Sequence, residues 1–408
     1  MRDDTSDARG APDGASRAIL TINGGSSTIK FAVFSAGPAL RRTISGQIDR
    51  IGEDRATLTV RRADGSSTGP VPVDAPDHSR AAHHLADWLL KEGDPRRLAA
   101  IGHRIVHGGV HLIDHQPITP ELIGELKANE TLDPTHLPRE IALIEILADR
   151  LPGMLQVACF DSAFHRDLPR VARLLPIPRP YIDSGIRRLG FHGLSYAYLL
   201  EELRRAAGDE AAAGRIVFAH LGSGASLAAV HEGRPVDTSM AFTPSAGLVM
   251  GTRPGDLDPG LLLYLMRAEA RSPAQMDEFV GKRCGLLGVS QTTSDMRELL
   301  ARRDADPRAA DAVDLFCYQC RKWIGAFAAA LGGLDTLVFS GGIGEHSDEV
   351  RRSVCEGLAF LNLRIDDERN RSHAARISTD DSAVAVRVIP TDEELTIARI
   401  VRTILEER

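Results

Sequence analysis

Apolar and polar positions change period along the chain, and each change marks an element. Ala18–Ile22 and Ile29–Phe34 are short apolar runs separated by NGGSS, which predicts two strands joined by a Gly/Ser-tipped hairpin. Ser79–Lys91 switches to helical spacing, with Leu85, Trp88 and Leu89 on one side. Leu98–Val106 is apolar again and runs into the glycines of HGG. Pro138–Arg150 has helical spacing and Leu155–Phe160 reads as a buried strand. Ser195–Ala207 predicts a helix that precedes a strand over Arg215–His220. Further on come a long apolar helix (Asp311–Leu331), a strand ending in glycines (Asp335–Ser340) and a helical pattern (Asp348–Leu358). Ala383–Ile389 predicts a strand before a final helix, at whose start Thr391 and Glu394 have capping-box spacing. Asp49–Asp77 reads as a variable, charged, turn-rich stretch. Strands alternating with helices give an α/β protein.

One pattern occurs twice. TINGGSSTIKFAV (Thr21–Val33) can be laid over AHLGSGASLAAVH (Ala219–His231), each a strand, a Gly/Ser turn and a returning apolar strand. The repeat predicts a duplicated fold. Two such hairpins facing each other would form a cleft with a phosphate-binding tip on either side.

The tips have the right chemistry. Backbone N–H groups hold phosphate oxygens well, and glycine lets the backbone come close. The first tip offers Gly24, Gly25, Ser26, Ser27, Thr28 and Lys30; the second, HLGSGAS, offers His220 and Ser223 among glycines. A third glycine cluster, SGGIGEH, ends a strand ahead of a helix, an arrangement that suits a nucleotide. Neither GxxxxGK[ST] nor GxGxxG occurs. Charged residues then gather at strand ends, where α/β folds carry function. Arg104 lies between His103 and His107, Asp161 follows the strand VACF, and His192 and Arg253 sit beside glycines. Glu393 and Glu394 open the last helix, where they also favour its dipole. His103 and His107 imitate a zinc pair, but there is no HExxH and their setting is a strand end. Two arginines, a carboxylate and a histidine suit phosphoryl transfer, in which catalysis is mostly positioning and charge neutralisation. Arginine also grips a carboxylate in a two-pronged way that lysine cannot.

Composition narrows the class. With 49 basic and 56 acidic residues among 408, the net charge is −7, and nothing draws the chain to nucleic acid or an anionic membrane. The hydrophobic fraction of 43% supports real cores. No apolar run approaches the roughly 18 residues of a membrane span. Met1–Ser16 lacks an apolar h-region and reads as a flexible leader. Five scattered cysteines argue against a disulfide framework and for a reducing, cytoplasmic location. Cys317 and Cys320 form a CxxC whose helical apolar surroundings favour core packing.

In INGGSSTIKF, GHRIVHGG, FDSAFH, GIRRLGFHG, HLGSGAS, DTSMAFTP, GTRPGDLDP, GVSQTTSDMR, SGGIGEHS and PTDEELTIAR, taken in order, the chain closely resembles the acetate kinase family. That family lies within the acetate and sugar kinase, Hsp70 and actin superfamily. The match runs from Ile19 to about Arg399. The resemblance implies a duplicated actin-like (ribonuclease H-like) two-domain α/β fold with a central nucleotide cleft. Its domains would be a leader over 1–17, an N-terminal domain over 18–161 and a C-terminal domain over 162–394 carrying the nucleotide. The last helix, about 395–408, would pack back on the first domain. The implied reaction is reversible transfer of the ATP γ-phosphoryl group to acetate, giving acetyl phosphate and ADP, with Mg²⁺ (or Mn²⁺ in its place). A propionate or other short-chain acyl kinase is the alternative; an actin- or Hsp70-like binding module and a sugar kinase are more distant ones.

The resemblance also implies roles. Asn23 and Glu393 would help hold Mg²⁺, and Lys30 would contact ATP phosphates. Arg104 would bind the carboxylate, against an apolar wall that includes Val106, Phe191 and Pro244. Asp161 would help position or activate the acceptor near the metal, and His192 and Arg253 would stabilise the transition state. His220, Leu221, Gly222, Ser223 and Gly224 would form the second phosphate loop. Asp295, Met296 and Arg297, with Gly342, Ile343, Gly344, Glu345 and His346, would surround the adenosine. The family is typically homodimeric. The chain departs from the family's usual pattern at Ser223 (asparagine), Leu194 and Tyr196 (FHGTSH), His346 (GIGEN), Thr135 (leucine) and Pro254 (a small residue).

Overall fold

The computed structural model describes residues 17–25, 27–37, 39–53, 55–92 and 95–408. The leader read over the first 16 residues and Ser26 of the first glycine tip lie outside the described residues.

Two sheets share one plan. In the first, β1 (Ala18–Gly24) and β2 (Ile29–Ser35) form an antiparallel hairpin that pairs Asn23 with Lys30. β3 (Arg41–Asp49) continues antiparallel, and β4 (Thr57–Arg62) and β5 (Ser67–Pro72) extend that edge. After α1 (His78–Glu92), β6 (Leu98–Ile105) pairs parallel to β1; after α2 (Leu137–Arg150), β7 (Leu155–Phe160) lies beside β6. The second sheet follows α3 (Gly193–Ala213). Its strands β8 (Ile216–Leu221), β9 (Ala225–His231) and β10 (Arg234–Thr238) form an antiparallel meander. The chain then builds α4 (Pro259–Ala268), α5 (Met296–Arg302) and α6 (Pro307–Leu331) before β11 (Thr336–Ser340), which is parallel to β8. α7 (Gly341–His346), α8 (Asp348–Glu356), β12 (Ala385–Val388) and α9 (Glu393–Glu406) complete it. The orders β3-β2-β1-β6-β7 and β10-β9-β8-β11-β12 are the same, so the sequence repeat falls on equivalent hairpins.

The chain divides into two compact units. One comprises the chain up to His103, Arg139–Ala158 and Ile397–Arg408; the other comprises Arg104–Pro138 and Cys159–Thr396. In the first unit Leu20, Ile22, Phe31 and Val33 pack on Ala82, Leu85 and Leu89 of α1 and Leu147 of α2. Phe31 lies 5.0 Å from Trp88 between ring centroids. Gly46 makes room for Phe31: a Cβ there would sit 2.3 Å from the ring's Cζ. A Cβ on Gly102 of β6 would sit 2.4 Å from Ile397 and 2.6 Å from Val401, so α9 is seated directly on β6. In the second unit Tyr196, Leu199 and Leu203 of α3 pack on Phe218, Ala228, Val230 and Val338. Cys317 and Cys320 are buried on α6, as its apolar spacing predicts, and burial pushes both thiols up.

Two expectations are corrected. Asp49–Asp77 contains the β4–β5 hairpin. Leu58 and Val60 alternate with polar residues, and the turn is made by Gly65 at φ 84° and an Asp64 carboxylate accepting from Ser66 N–H at 2.8 Å. At α9 the cap is Asp392, whose Oδ1 accepts from Leu395 N–H at 3.0 Å, rather than the Thr391–Glu394 box. Thr391 Oγ1 is engaged with Ser195 Oγ instead.

Candidate active site

The second unit assembles most of the charged constellation. Arg104 leaves β6 and donates from Nη2 to Asp161 Oδ2 at 2.8 Å. Asp161 follows β7 directly and has no exposed surface. Its Oδ2 also accepts from His192 N–H at 2.9 Å, and its Oδ1 from Leu194 N–H at 3.4 Å. Its carbonyl takes Gly193 N–H at 2.9 Å. These bonds hold His192 in the left-handed region, at φ 57°, where a non-glycine residue costs about 1–2 kcal/mol. The Asp161 carboxylate is thus taken up by Arg104 and by the backbone at the start of α3.

His192 caps the entry to α3 and stacks on His220, with ring centroids 4.4 Å apart. Burial first, then His220, Arg104 and Arg253, hold it well below the usual histidine range, so it is neutral at pH 7. His220 is the last residue but one of β8 and begins the second glycine tip. Its Nδ1 meets Ser195 Oγ at 2.8 Å, and that hydroxyl also meets Thr391 Oγ1 at 2.8 Å. Arg253 Nη1 donates to the Pro244 carbonyl at 2.6 Å. Burial, then Arg104, pull its guanidinium down to about 10, which still leaves it charged. Gly224 is the contact point: a Cβ there would sit 2.6 Å from Arg253 Nη2 and 3.5 Å from His192 Nε2.

The second tip and the third glycine cluster lie side by side, because β8 and β11 pair in register, Ser340 opposite His220. Gly341, at φ 76°, abuts the Leu221 backbone, where a side chain would clash at 2.7 Å. Ser223 carbonyl accepts from Gly251 N–H at 3.0 Å, and Gly251 in turn adjoins Ser294, next to Asp295. Asp295 caps α5 and pairs with Arg297, while Met296 is buried. Gly342 is exposed and Ile343 half-buried. Gly344 and Glu345 offer their carbonyls to Arg351, at 2.8 and 2.9 Å. The Glu345 carboxylate is used within the turn, accepting from Gly341 and Thr391 N–H at 2.8 and 3.2 Å. His346 is exposed. Val106 and Phe191 are buried, Phe191 edge-on to His107. Thr135 N–H bonds Asp133 Oδ1 at 3.1 Å.

In the first unit, the Asn23–Lys30 hairpin carries the other tip. Gly25 N–H closes it onto the Thr28 carbonyl at 2.7 Å, and His78 Nε2 donates to the Gly25 carbonyl at 2.9 Å from the start of α1. His103 and His107 do not form a pair: His103 bonds Gln156 at 2.6 Å, and His107 Nδ1 accepts from Gly109 N–H at 3.0 Å. Among the described residues, no cluster of three or more His, Cys, Asp or Glu side chains could hold a metal unaided.

The fold and motif order meet a direct comparison. Residues 18–399 match the sequence model of the Acetokinase family. The chain belongs to the acetokinase family. Within it, the chain is 44% identical to an acetate kinase of Rhodopseudomonas palustris (strain TIE-1), over 93% of this chain and 96% of that one. It is 41% identical to a propionate kinase of Citrobacter rodentium, over 95% and 97%. Among solved structures it resembles Porphyromonas gingivalis acetate kinase (TM-score 0.85, 35% identity, 96% and 100% covered). It also resembles a propionate kinase from Francisella tularensis (TM-score 0.87, 31% identity, 94% and 98% covered). These acetokinase structures carry the actin-like two-domain α/β architecture over to this chain.

Several residues of this acetokinase site escaped sequence reasoning. Arg351 is fully buried on α8 and, besides the two carbonyls of the glycine turn, bonds Asn370 through Nε at 2.8 Å. A charged residue at a core position of a helical pattern was the available signal. Ser195, Ser226 and His78 carried none, being ordinary polar residues in periodic segments.

Proposed function

We propose that the chain transfers the γ-phosphoryl group of ATP reversibly to acetate, giving acetyl phosphate and ADP by direct in-line displacement. The observation that carries this reading is the seating of Arg253 and His192 against Gly224, with Arg104 tied to the buried Asp161. Two fixed guanidiniums and a neutral N–H suit a reaction in which negative charge collects on one transferring group.

Each residue has a part in this reading. Arg104 holds the acid's carboxylate, and Asp161 holds Arg104. Val106, Phe191 and Pro244 form the apolar wall for the acyl chain. Arg253 and His192 donate to the moving phosphoryl, and Lys30 contacts the phosphates from the first tip. His220–Gly224 cradle phosphates from the second. The segments at 295–297 and 342–346 take the adenosine; Glu345 acts there by bracing the turn. Asn23 and Glu393 offer an amide oxygen and a carboxylate, the hard donors magnesium takes, in the small number that suits an ion also bound by phosphates. Magnesium or manganese held there would neutralise phosphate charge. Five free thiols support a reducing, cytoplasmic setting. Among the described residues no helix is long and apolar enough to cross a membrane.

Relatives of both substrate names leave propionate as the second reading. One methylene in an apolar pocket is worth only about 1–3 kcal/mol. A coupled assay with magnesium ATP and acetate, propionate and butyrate tests both. Highest kcat/KM with acetate is expected; a clear preference for propionate replaces the acetate reading, and no turnover with any of the three sinks the function.

A further inference from the structure

Behind His192 runs a short chain of hydroxyls. His192 Nδ1 lies 2.8 Å from Ser226 Oγ on β9, and Ser226 Oγ lies 2.5 Å from the Tyr196 hydroxyl, one turn into α3. Tyr196 has no exposed surface, and its ring is packed among Phe164, His165 and Phe218 at 5.8–6.1 Å. A buried phenol must donate its proton. Among the described residues, Ser226 Oγ is the acceptor it has. Ser226, itself buried, then has His192 Nδ1 for its own proton. If Nδ1 instead carried a proton, two donors would converge on Ser226, and the serine proton would be left without an acceptor in a dry core.

We propose that Tyr196 and Ser226 are positioning residues that lock His192 as the Nε2–H tautomer, aiming one neutral N–H at the phosphoryl path. Nε2 is the nitrogen that faces Gly224 beside Arg253. In the other tautomer a lone pair would point at an anion, which repels it. Burial and the neighbouring cations also disfavour the doubly protonated ring. The relay involves one of the chain's own departures, since tyrosine stands here where the family's usual pattern has histidine. The proposal rests on the reading that His192 faces the transferring group.

The test uses the full-length chain with ¹⁵N-histidine. Long-range ¹H–¹⁵N correlation spectra of the free enzyme at pH 7.5, with the signal assigned by its loss in His192→Asn, should show a neutral Nε2–H ring. Tyr196→Phe keeps the ring packing and removes only the hydroxyl, and Ser226→Ala removes the bridge. Both should mix the tautomers and lower kcat about 10- to 100-fold while leaving both KM values within about threefold. Tyr196→His, which restores a donor, should recover most of the loss. An Nδ1–H or charged ring in the wild type overturns the proposal. So does a Tyr196→Phe enzyme with unaltered tautomer and kcat, or one that loses rate with its tautomer intact. The spectrum reports on the free enzyme, so it stands even if His192→Asn turns over normally. That last result would sink the role of His192 and leave the relay.

Discussion

The two arginines differ in what they touch, and so in what their loss should do. Arg104 is anchored on a carboxylate with no exposed surface, so Arg104→Ala strands a buried charge and, on the function proposed above, removes the acid's partner. Breaking such a pair costs about 3–5 kcal/mol. A rise of about 100-fold or more in KM for the carboxylate, with a lower melting temperature, is expected from steady-state kinetics and differential scanning fluorimetry. Arg253 donates to the Pro244 carbonyl and passes close to Gly224, and among the described residues it forms no ion pair within 4 Å. Arg253→Ala should keep the melting temperature and lose about 100- to 1,000-fold in kcat, the scale of one removed oxyanion donor. Equal kinetics to wild type in either variant would remove that residue from the site. Arg104, Asp161, His192 and Arg253 were legible in the sequence because charge beside glycine at a strand end is a local signal. Tyr196 and Ser226 were not, because a tyrosine in a helix and a serine in a strand acquire a role only when packing brings their hydroxyls together.

Among elements, the second glycine tip matters for what it leaves out. Gly224 lacks a side chain where one would overlap Arg253 Nη2 at 2.6 Å. Its φ lies outside the left-handed region, so alanine is tolerated by the backbone and the clash is the sole effect. Gly224→Ala should leave the urea midpoint nearly unchanged and lower kcat about 10-fold or more, since small displacements of catalytic groups cost up to about 100-fold. Wild-type kcat in a folded variant would mean that Arg253 can move aside without consequence. The hairpins themselves were readable from alternating apolar runs around Gly/Ser turns. The β4–β5 hairpin was not, because its charged, turn-rich flanks masked the brief alternation at Leu58 and Val60.

At the scale of the molecule, buried histidines set the response to acid. Burial holds His103, His115 and His165 down to about 4, against an ordinary value near 6.5. The unfolded chain therefore binds protons below about pH 6.5 that the folded chain refuses until about pH 4. The stability these groups contribute is complete above 6.5 and is lost as pH falls between those values. His107 and His192 are lowered by burial too, and five such groups give a slope of up to about 7 kcal/mol per pH unit. Urea midpoints measured from pH 7 to 5 should fall steeply, and His115→Gln should reduce the slope by about a fifth; a flat profile would contradict the burial.

The sequence by itself determined the α/β class, the duplicated hairpins, the family and the charged groups of the site, because period, glycine turns and motif order are local. Tertiary structure decided the partners. Asp161 meets Arg104 across 57 residues, Ser195 meets Thr391 across 196, and the Glu345 carboxylate turns inward to brace its own loop. A polar group takes whichever complementary group burial brings within 3 Å, and no local preference encodes that choice.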